Sequence, residues 1–283
     1  MTRPTRTRPD MTLRTLVPFV ALTFALTWGI AALLILFPEP IAAVFGELSV
    51  TNPLFVLAVY APGIVGVLLV ARRFGPAGLG GFFRRLTLAR MSLGWWAFLA
   101  LGIPALFYLG ALATGNAGAP LPFASLSAAL VAIATVAFIG PIEEFGWRGL
   151  MLPLLQRRLA PLWASLVVGA VWGLWHVPAF LLSGTPQSAW SFGPFFLGVL
   201  ALSVLVTPMF NAARGSLLIP VLFHFQLNNP IWPDAQPWDT LAFALAAVVV
   251  VIVNRKSMLS RQAGATDVVM PRPAPRAIAE VHA

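Results

Sequence analysis

The chain has 283 residues, of which 59% are hydrophobic and only 10% are charged. Soluble domains carry about 25% charged residues, so this composition excludes an ordinary soluble fold and is typical of a polytopic membrane protein. The net charge of +9 does not indicate a nucleic-acid-binding face, because the basic residues lie in short clusters between apolar runs. The absence of cysteine excludes disulfides, thiolate catalysis and thiolate metal ligands.

The apolar runs predict an all-α membrane protein with about eight transmembrane helices. A spanning helix needs about 20 mostly apolar residues. The candidate spans are residues 15–37, 53–71, 95–114, 126–155, 162–182, 192–211, 216–228 and 241–254. The seventh run is short, so we expect neighbouring helices to shelter it.

The charges between the runs predict the orientation. Every lysine and arginine except Arg148 lies on the same side of the predicted spans, whereas the loops on the other side carry Glu39, Glu47, Asp234 and Asp239 and no basic residue. Because basic loops stay in the cytoplasm, both termini are predicted to be cytoplasmic. We therefore expect three parts: a basic tail at 1–14, a helical domain at 15–254 and a disordered tail at 255–283. The expected location is the cell (inner or plasma) membrane.

Few strongly polar groups remain at membrane depth. They are Glu143, Glu144 and Arg148 on the fourth span, His176 on the fifth, and His224 and Asn228 on the seventh. The remaining histidine, His282, lies in the tail. Charged groups near the bilayer centre cost roughly 2.5–3.5 kcal/mol each on an insertion scale. Their restriction to three spans predicts one shared interior site.

Helical spacing predicts different roles for the charged residues of the fourth span. Glu144 and Arg148 are four residues apart, so they share a helix face and can form an ion pair. Glu143 is rotated by about 100° from Glu144 and can face a cavity instead. A structural clamp is the competing interpretation of the ion pair, as a buried hydrogen-bonding role is for each histidine.

The three polar patterns resemble the motifs of the CPBP family, the CAAX-prenyl-protease and bacteriocin-processing (Abi) membrane endopeptidases. The matching residues are Glu-Glu-x-x-x-Arg at 143–148, aromatic-x-x-x-His at 172–176 and His-x-x-x-Asn at 224–228. Trp172 stands where the family usually has phenylalanine, a departure that we expect to matter little.

The resemblance implies an enzyme in which Glu143 and His176 activate a water and His224 and Asn228 stabilise the oxyanion. Glu144, Arg148 and Trp172 would support them. The implied partners are membrane lipids and a peptide or protein substrate, for which a C-terminally lipidated protein is one candidate; no nucleic acid is implied.

Two questions stay open at this level. Glu143, His176 and His224 could hold zinc as a His2Glu set, but the His-Glu-x-x-His helix of zinc peptidases is missing, which favours a metal-free, glutamate-activated water. A non-catalytic bacteriocin-immunity or membrane-assembly factor could also use the same cavity, and a proton-coupled transporter is a third candidate.

Overall fold

The computed structural model describes residues 10–270, and within that range it contains helices and no strand. Residues 1–9 and 271–283, which include most of the predicted basic tail and His282, lie outside the described residues. The helices are α1 (Leu16–Leu36), α2 (Pro38–Phe45), α3 (Pro53–Phe83), α4 (Leu93–Ala97), α5 (Ile103–Thr114), α6 (Leu126–Phe138), α7 (Glu144–Gly146), α8 (Leu152–Gln156), α9 (Pro161–Trp175), α10 (Phe192–Ala212), α11 (Leu218–Leu227), α12 (Trp238–Val253) and α13 (Arg255–Met258).

Six helical segments of the described chain are long and apolar enough to cross a membrane. They are Leu13–Leu36, Pro53–Thr87, Leu93–Thr114, Leu126–Gln156, Pro161–Leu181 and Phe192–Ala212. The helices α11 and α12 are apolar but shorter. Lipid offers no hydrogen-bond partners to the backbone, and a helix satisfies its own backbone groups. These apolar helices confirm the predicted all-α membrane architecture. The count of eight spans and the orientation of the termini stay predictions.

Glycines let α3 approach the centre of the fourth span closely. A Cβ on Gly63 would lie 2.4 Å from the carbonyl oxygen of Ile142, and a Cβ on Gly146 would lie 2.3 Å from that of Pro62. Small residues at such a contact allow two helix backbones to pack without a hydrophobic driving force. Trp147, which is fully buried, fills the adjacent space with its ring 5.5 Å from that of Phe19.

The first part of the predicted disordered tail is folded. Residues 255–270 include α13 and a short 3-10 turn at Arg261–Ala263, and Met258 and Val268 are buried. Arg157 donates to the carbonyl of Thr266, and the backbone N–H of Met270 donates to Gly81. The polar composition of this segment hid these contacts, because they are made by its backbone and by a few apolar side chains.

Buried Arg85 joins this segment to the bundle. Its guanidinium donates to the carbonyls of Gly149, Gly215 and Val268 at 2.6–2.9 Å and to that of Arg148 at 3.2 Å. Arginine carries five N–H donors in a rigid fork, which suits it to hold several carbonyls at once. The end of the bundle that carries the basic residues is therefore tied together around one side chain.

Candidate active site

The fourth span is not one continuous α-helix. The helix α6 ends at Phe138, and Gly140 has a positive φ of 98° that a residue with a Cβ rarely adopts. A 3-10 turn at Pro141–Glu143, the short α7 and a π-helical turn at Trp147–Met151 then lead into α8. Irregular backbone at membrane depth is tolerated where it is buried in protein or lines a cavity. This break carries the two adjacent carboxylates.

Glu144 is held from two sides. Arg148 Nη1 donates to both carboxylate oxygens at 2.8 and 3.0 Å, and the two side chains form the ion pair expected from their spacing. His224 Nδ1 also lies 2.8 Å from Glu144 Oε1. Since a carboxylate accepts, His224 donates from Nδ1, and Glu144 bridges an arginine on its own segment to a histidine on α11.

Glu143 is held by two neutral donors rather than by a cation. The indole N–H groups of Trp147 and Trp172 donate to its Oε2 at 3.2 and 2.9 Å. All three side chains are buried. The Trp172 ring also lies 4.6 Å from the guanidinium carbon of Arg148, so one side chain touches both parts of the fourth-span motif. Trp172 thus makes a contact that the phenylalanine usual at this position could not make, because phenylalanine has no N–H to donate.

His176 has a defined tautomer. Its Nδ1 lies 2.8 Å from the carbonyl of Trp172, one turn earlier on the same helix. A carbonyl only accepts, so Nδ1 carries the hydrogen and Nε2 is left with its lone pair in the neutral ring. The ring packs edge-on against Trp175, with centroids 4.7 Å apart, which fixes its plane.

Gly140 lies directly against two side chains of the α11 segment. A Cβ at this position would lie 2.2 Å from Asn228 Nδ2 and 3.1 Å from His224 Nε2. The glycine therefore leaves space for the amide of Asn228 and for the ring nitrogen of His224 that Glu144 does not engage.

One cavity of about 650 Å³ unites these groups. Its lining includes Glu143, His176, His224 and Asn228, together with Gly140. The volume falls within the roughly 300–1,000 Å³ of small-molecule and cofactor sites. Glu144 and Arg148 are not among the lining residues. The structure thus brings the four predicted catalytic residues to one cavity and sets the ion pair behind it.

The three residues considered for zinc do not form a metal site here. Among residues 10–270, no three His, Asp or Glu side chains are grouped so that they could hold a metal ion. His224 is turned towards Glu144, and the indoles engage one oxygen of Glu143. The use of zinc stays a prediction, and no step below passes through a metal.

Two contacts of the site could not be found by inspecting the sequence. The Trp172–Glu143 and His224–Glu144 hydrogen bonds join residues 29 and 80 positions apart. The Trp147–Glu143 bond does carry a signal, since these residues are four apart and fall on one face of a helical turn.

These features define a multi-pass helical membrane protein with an interior carboxylate–imidazole–amide site. A family model described as Type II CAAX prenyl endopeptidase Rce1-like matches residues 124–229. That range contains every residue of the site described above.

The chain is also similar to CAAX prenyl protease 2 of Methanococcus maripaludis. The two are 29% identical over 130 residues, which cover 42% of this chain and 48% of that protein. The chain thus spans about half the length of the curated relative it matches. With the three motifs, these findings show that the part of the chain that carries the site is similar to CAAX-type membrane endopeptidases.

Proposed function

We propose that the protein is an intramembrane endopeptidase of CAAX type that hydrolyses a peptide bond with a water held by Glu143 and His176. The observation that carries the proposal is the cavity, because its wall presents a carboxylate, two imidazoles and a primary amide together. Peptide hydrolysis needs a base for the water and donors for the tetrahedral oxygen. Similarity to a protein named CAAX prenyl protease 2 supports the same reaction class.

The hydrogen bonds suggest which atoms do the work. Both indoles bind Oε2 of Glu143, so Oε1 is the oxygen that we assign to the water. The Nε2 lone pair of His176 would accept the second hydrogen of that water, because Nδ1 is committed to the Trp172 carbonyl. Glu143 then takes the proton as the oxygen attacks the peptide carbonyl, and returns it to the leaving amine.

The opposite wall would bind the developing oxyanion. Asn228 can donate from its side-chain amide. His224 would donate to the oxyanion from Nε2 as the imidazolium, in which both ring nitrogens carry a hydrogen and Nδ1 donates to Glu144. Donors that are already oriented stabilise a transition state without reorganising, and removing one such donor costs about 10²–10³-fold in kcat. Arg148 and Glu144 would act by holding His224 rather than by touching the substrate.

The test is cleavage of a CAAX-type peptide and of a peptide library by purified protein. Glu143→Gln keeps the size of the side chain and both indole hydrogen bonds to its carbonyl oxygen, but cannot accept the proton. We expect this variant to fold normally and to lose cleavage. Equal cleavage by the wild type and Glu143→Gln would refute the assignment. A variant that complements a deletion phenotype without cleaving anything would favour a binding role instead.

A further inference from the structure

The cavity opens at one particular end of the bundle. Besides the catalytic residues, its lining includes Val50, Pro186, Trp190, Trp232 and Asp234. These residues belong to the connections at 46–52, 182–191 and 228–237, which all follow helices leading away from the basic loops. No residue of the connections at 84–92, 157–160 or 213–217 lines the cavity.

The basic residues lie at the opposite end. Within the described residues, every lysine and arginine except Arg148 belongs to this end: Arg14, Arg72, Arg73, Arg84, Arg85, Arg90, Arg157, Arg158, Arg214, Arg255, Lys256 and Arg261. The structure brings their segments together, since Arg85 binds Gly215 and Val268, and Arg157 binds Met11 and Thr266. By the positive-inside rule this end faces the cytoplasm, so the cavity opens on the other side.

Packed side chains separate the site from the basic end. Leu150, Leu152 and Leu154, which follow the motif along the fourth span, are fully buried. Below them, Gln156 and Asn211 exchange hydrogen bonds of 3.0 and 2.7 Å. A close-packed interior of this kind leaves no room for a peptide. Access from the cytoplasmic end would require the core to open.

The chemistry of the mouth restricts what can enter. Asp234 and Asp239 line it, and no lysine or arginine is among the lining residues. Aromatic rings of Phe107, Trp190 and Trp232 contribute apolar surface. Like charges brought together in a partly desolvated site repel each other, so acidic segments are disfavoured and neutral or basic apolar segments are accepted.

We infer that the site acts on peptides presented from the non-cytoplasmic side of the membrane, and that its substrate class is an apolar segment of an exported or membrane-anchored polypeptide without acidic residues. This inference rests on the proposed protease function and specifies its substrate. It differs from a site that receives a lipidated C-terminus from the cytoplasm, since that terminus would reach the basic, closed end.

Access can be tested without any activity, because the chain contains no cysteine. Three single-cysteine variants mark the positions: Ser183→Cys on the exposed loop at the mouth, Thr135→Cys on the cavity wall and Ser257→Cys at the basic end. In intact cells a membrane-impermeant maleimide should label the first two and leave the third unlabelled until the cells are permeabilised. Labelling of Ser257→Cys alone, or of Thr135→Cys only after permeabilisation, would overturn the inference.

Substrate class is tested with spheroplasts, which expose the outer face, and inverted membrane vesicles, which expose the cytoplasmic face. Both are given one apolar peptide flanked by lysines or by aspartates. We expect the lysine-flanked peptide to be cleaved at least tenfold faster by spheroplasts than by inverted vesicles, and several-fold faster than the aspartate-flanked peptide. Membranes carrying Glu143→Gln provide the background.

The outcomes separate the two proposals. Faster cleavage by inverted vesicles would overturn the inference and leave the proposed function standing. Equal cleavage of the two peptides would overturn the assignment of charge preference. If detergent-solubilised protein cleaves the CAAX-type peptide or the peptide library but neither flanked peptide, the substrate class fails and the proposed function stands. If it cleaves none of them, the proposed function fails, and the substrate class fails with it.

Discussion

Trp172→Phe is the sharpest test of how Glu143 is held. The change removes the indole N–H that donates to Glu143 Oε2 at 2.9 Å and keeps an aromatic ring between Arg148 and the histidines. A hydrogen bond to a charged group contributes roughly 1.5–3 kcal/mol. We take the lower end, about 1.5 kcal/mol, because Trp147 still binds the same oxygen. At about 1.4 kcal/mol for each tenfold in rate, kcat should fall roughly tenfold.

The matched control is Trp175→Phe. Trp175 lies on the same helix and is equally buried, but its indole donates to Thr27 Oγ1 at 2.8 Å rather than to a carboxylate. Phenylalanine at this position keeps an aromatic ring against His176. Peptide cleavage gives kcat and KM, and a melting curve of each purified variant reports stability. Both variants should lose similar stability, whereas only Trp172→Phe should lose kcat at nearly constant KM. A kcat that falls equally in the two variants would refute the positioning role. If the two indoles share one task, Trp147→Phe combined with Trp172→Phe should cost more than the sum of the single changes.

Four further outcomes are expected. Arg148→Ala should destabilise the protein by roughly 3–5 kcal/mol, as removal of one partner of a buried ion pair does. Glu143→Ala should cost less, because the hydrogen-bond partners of Glu143 are neutral. Equal melting temperatures of the two variants would count against the Glu144–Arg148 ion pair as a structural clamp. Gly140→Ala should abolish cleavage because the added Cβ would clash with Asn228. The control is Gly115→Ala, which has a similar positive φ of 77° and no atom within 4 Å of the added Cβ, so it should lose only stability. Matching activities of the two variants would contradict the steric argument. Arg85→Lys should lower the melting temperature because an ammonium group cannot donate to four carbonyls as the rigid guanidinium does. The control Arg90→Lys, at an exposed position, should leave the melting temperature unchanged. An unchanged melting temperature of Arg85→Lys would show that the four hydrogen bonds are dispensable. Dialysis against a chelator should leave cleavage intact, and activity that is lost and then restored by zinc would overturn the metal-free mechanism.

Hydropathy and spacing predicted the membrane architecture and the intramembrane polar residues, because both depend on local sequence. The Glu144–Arg148 pair follows from a four-residue spacing that survives the π-helical turn between them. The partners of Glu143 did not follow, since the donation from Trp172 depends on how α9 packs against the fourth span. The folded segment at 255–270 was missed for a related reason: its backbone groups bind Arg85 and Arg157, and backbone contacts leave little trace in composition.

Arg85 shows how a broken helix can be tolerated at membrane depth. The π-helical turn after the carboxylates disturbs the regular backbone hydrogen bonds of the fourth span, and an unsatisfied carbonyl in lipid costs several kcal/mol. The guanidinium of Arg85 satisfies carbonyls of this turn by donating hydrogen bonds to them. Two of its four acceptors, the carbonyls of Arg148 and Gly149, belong to the turn. Its other two acceptors join the turn to the loop after α10 and to the C-terminal segment. The break is thus stabilised from the end of the bundle that carries the basic residues, opposite the connections that line the cavity mouth.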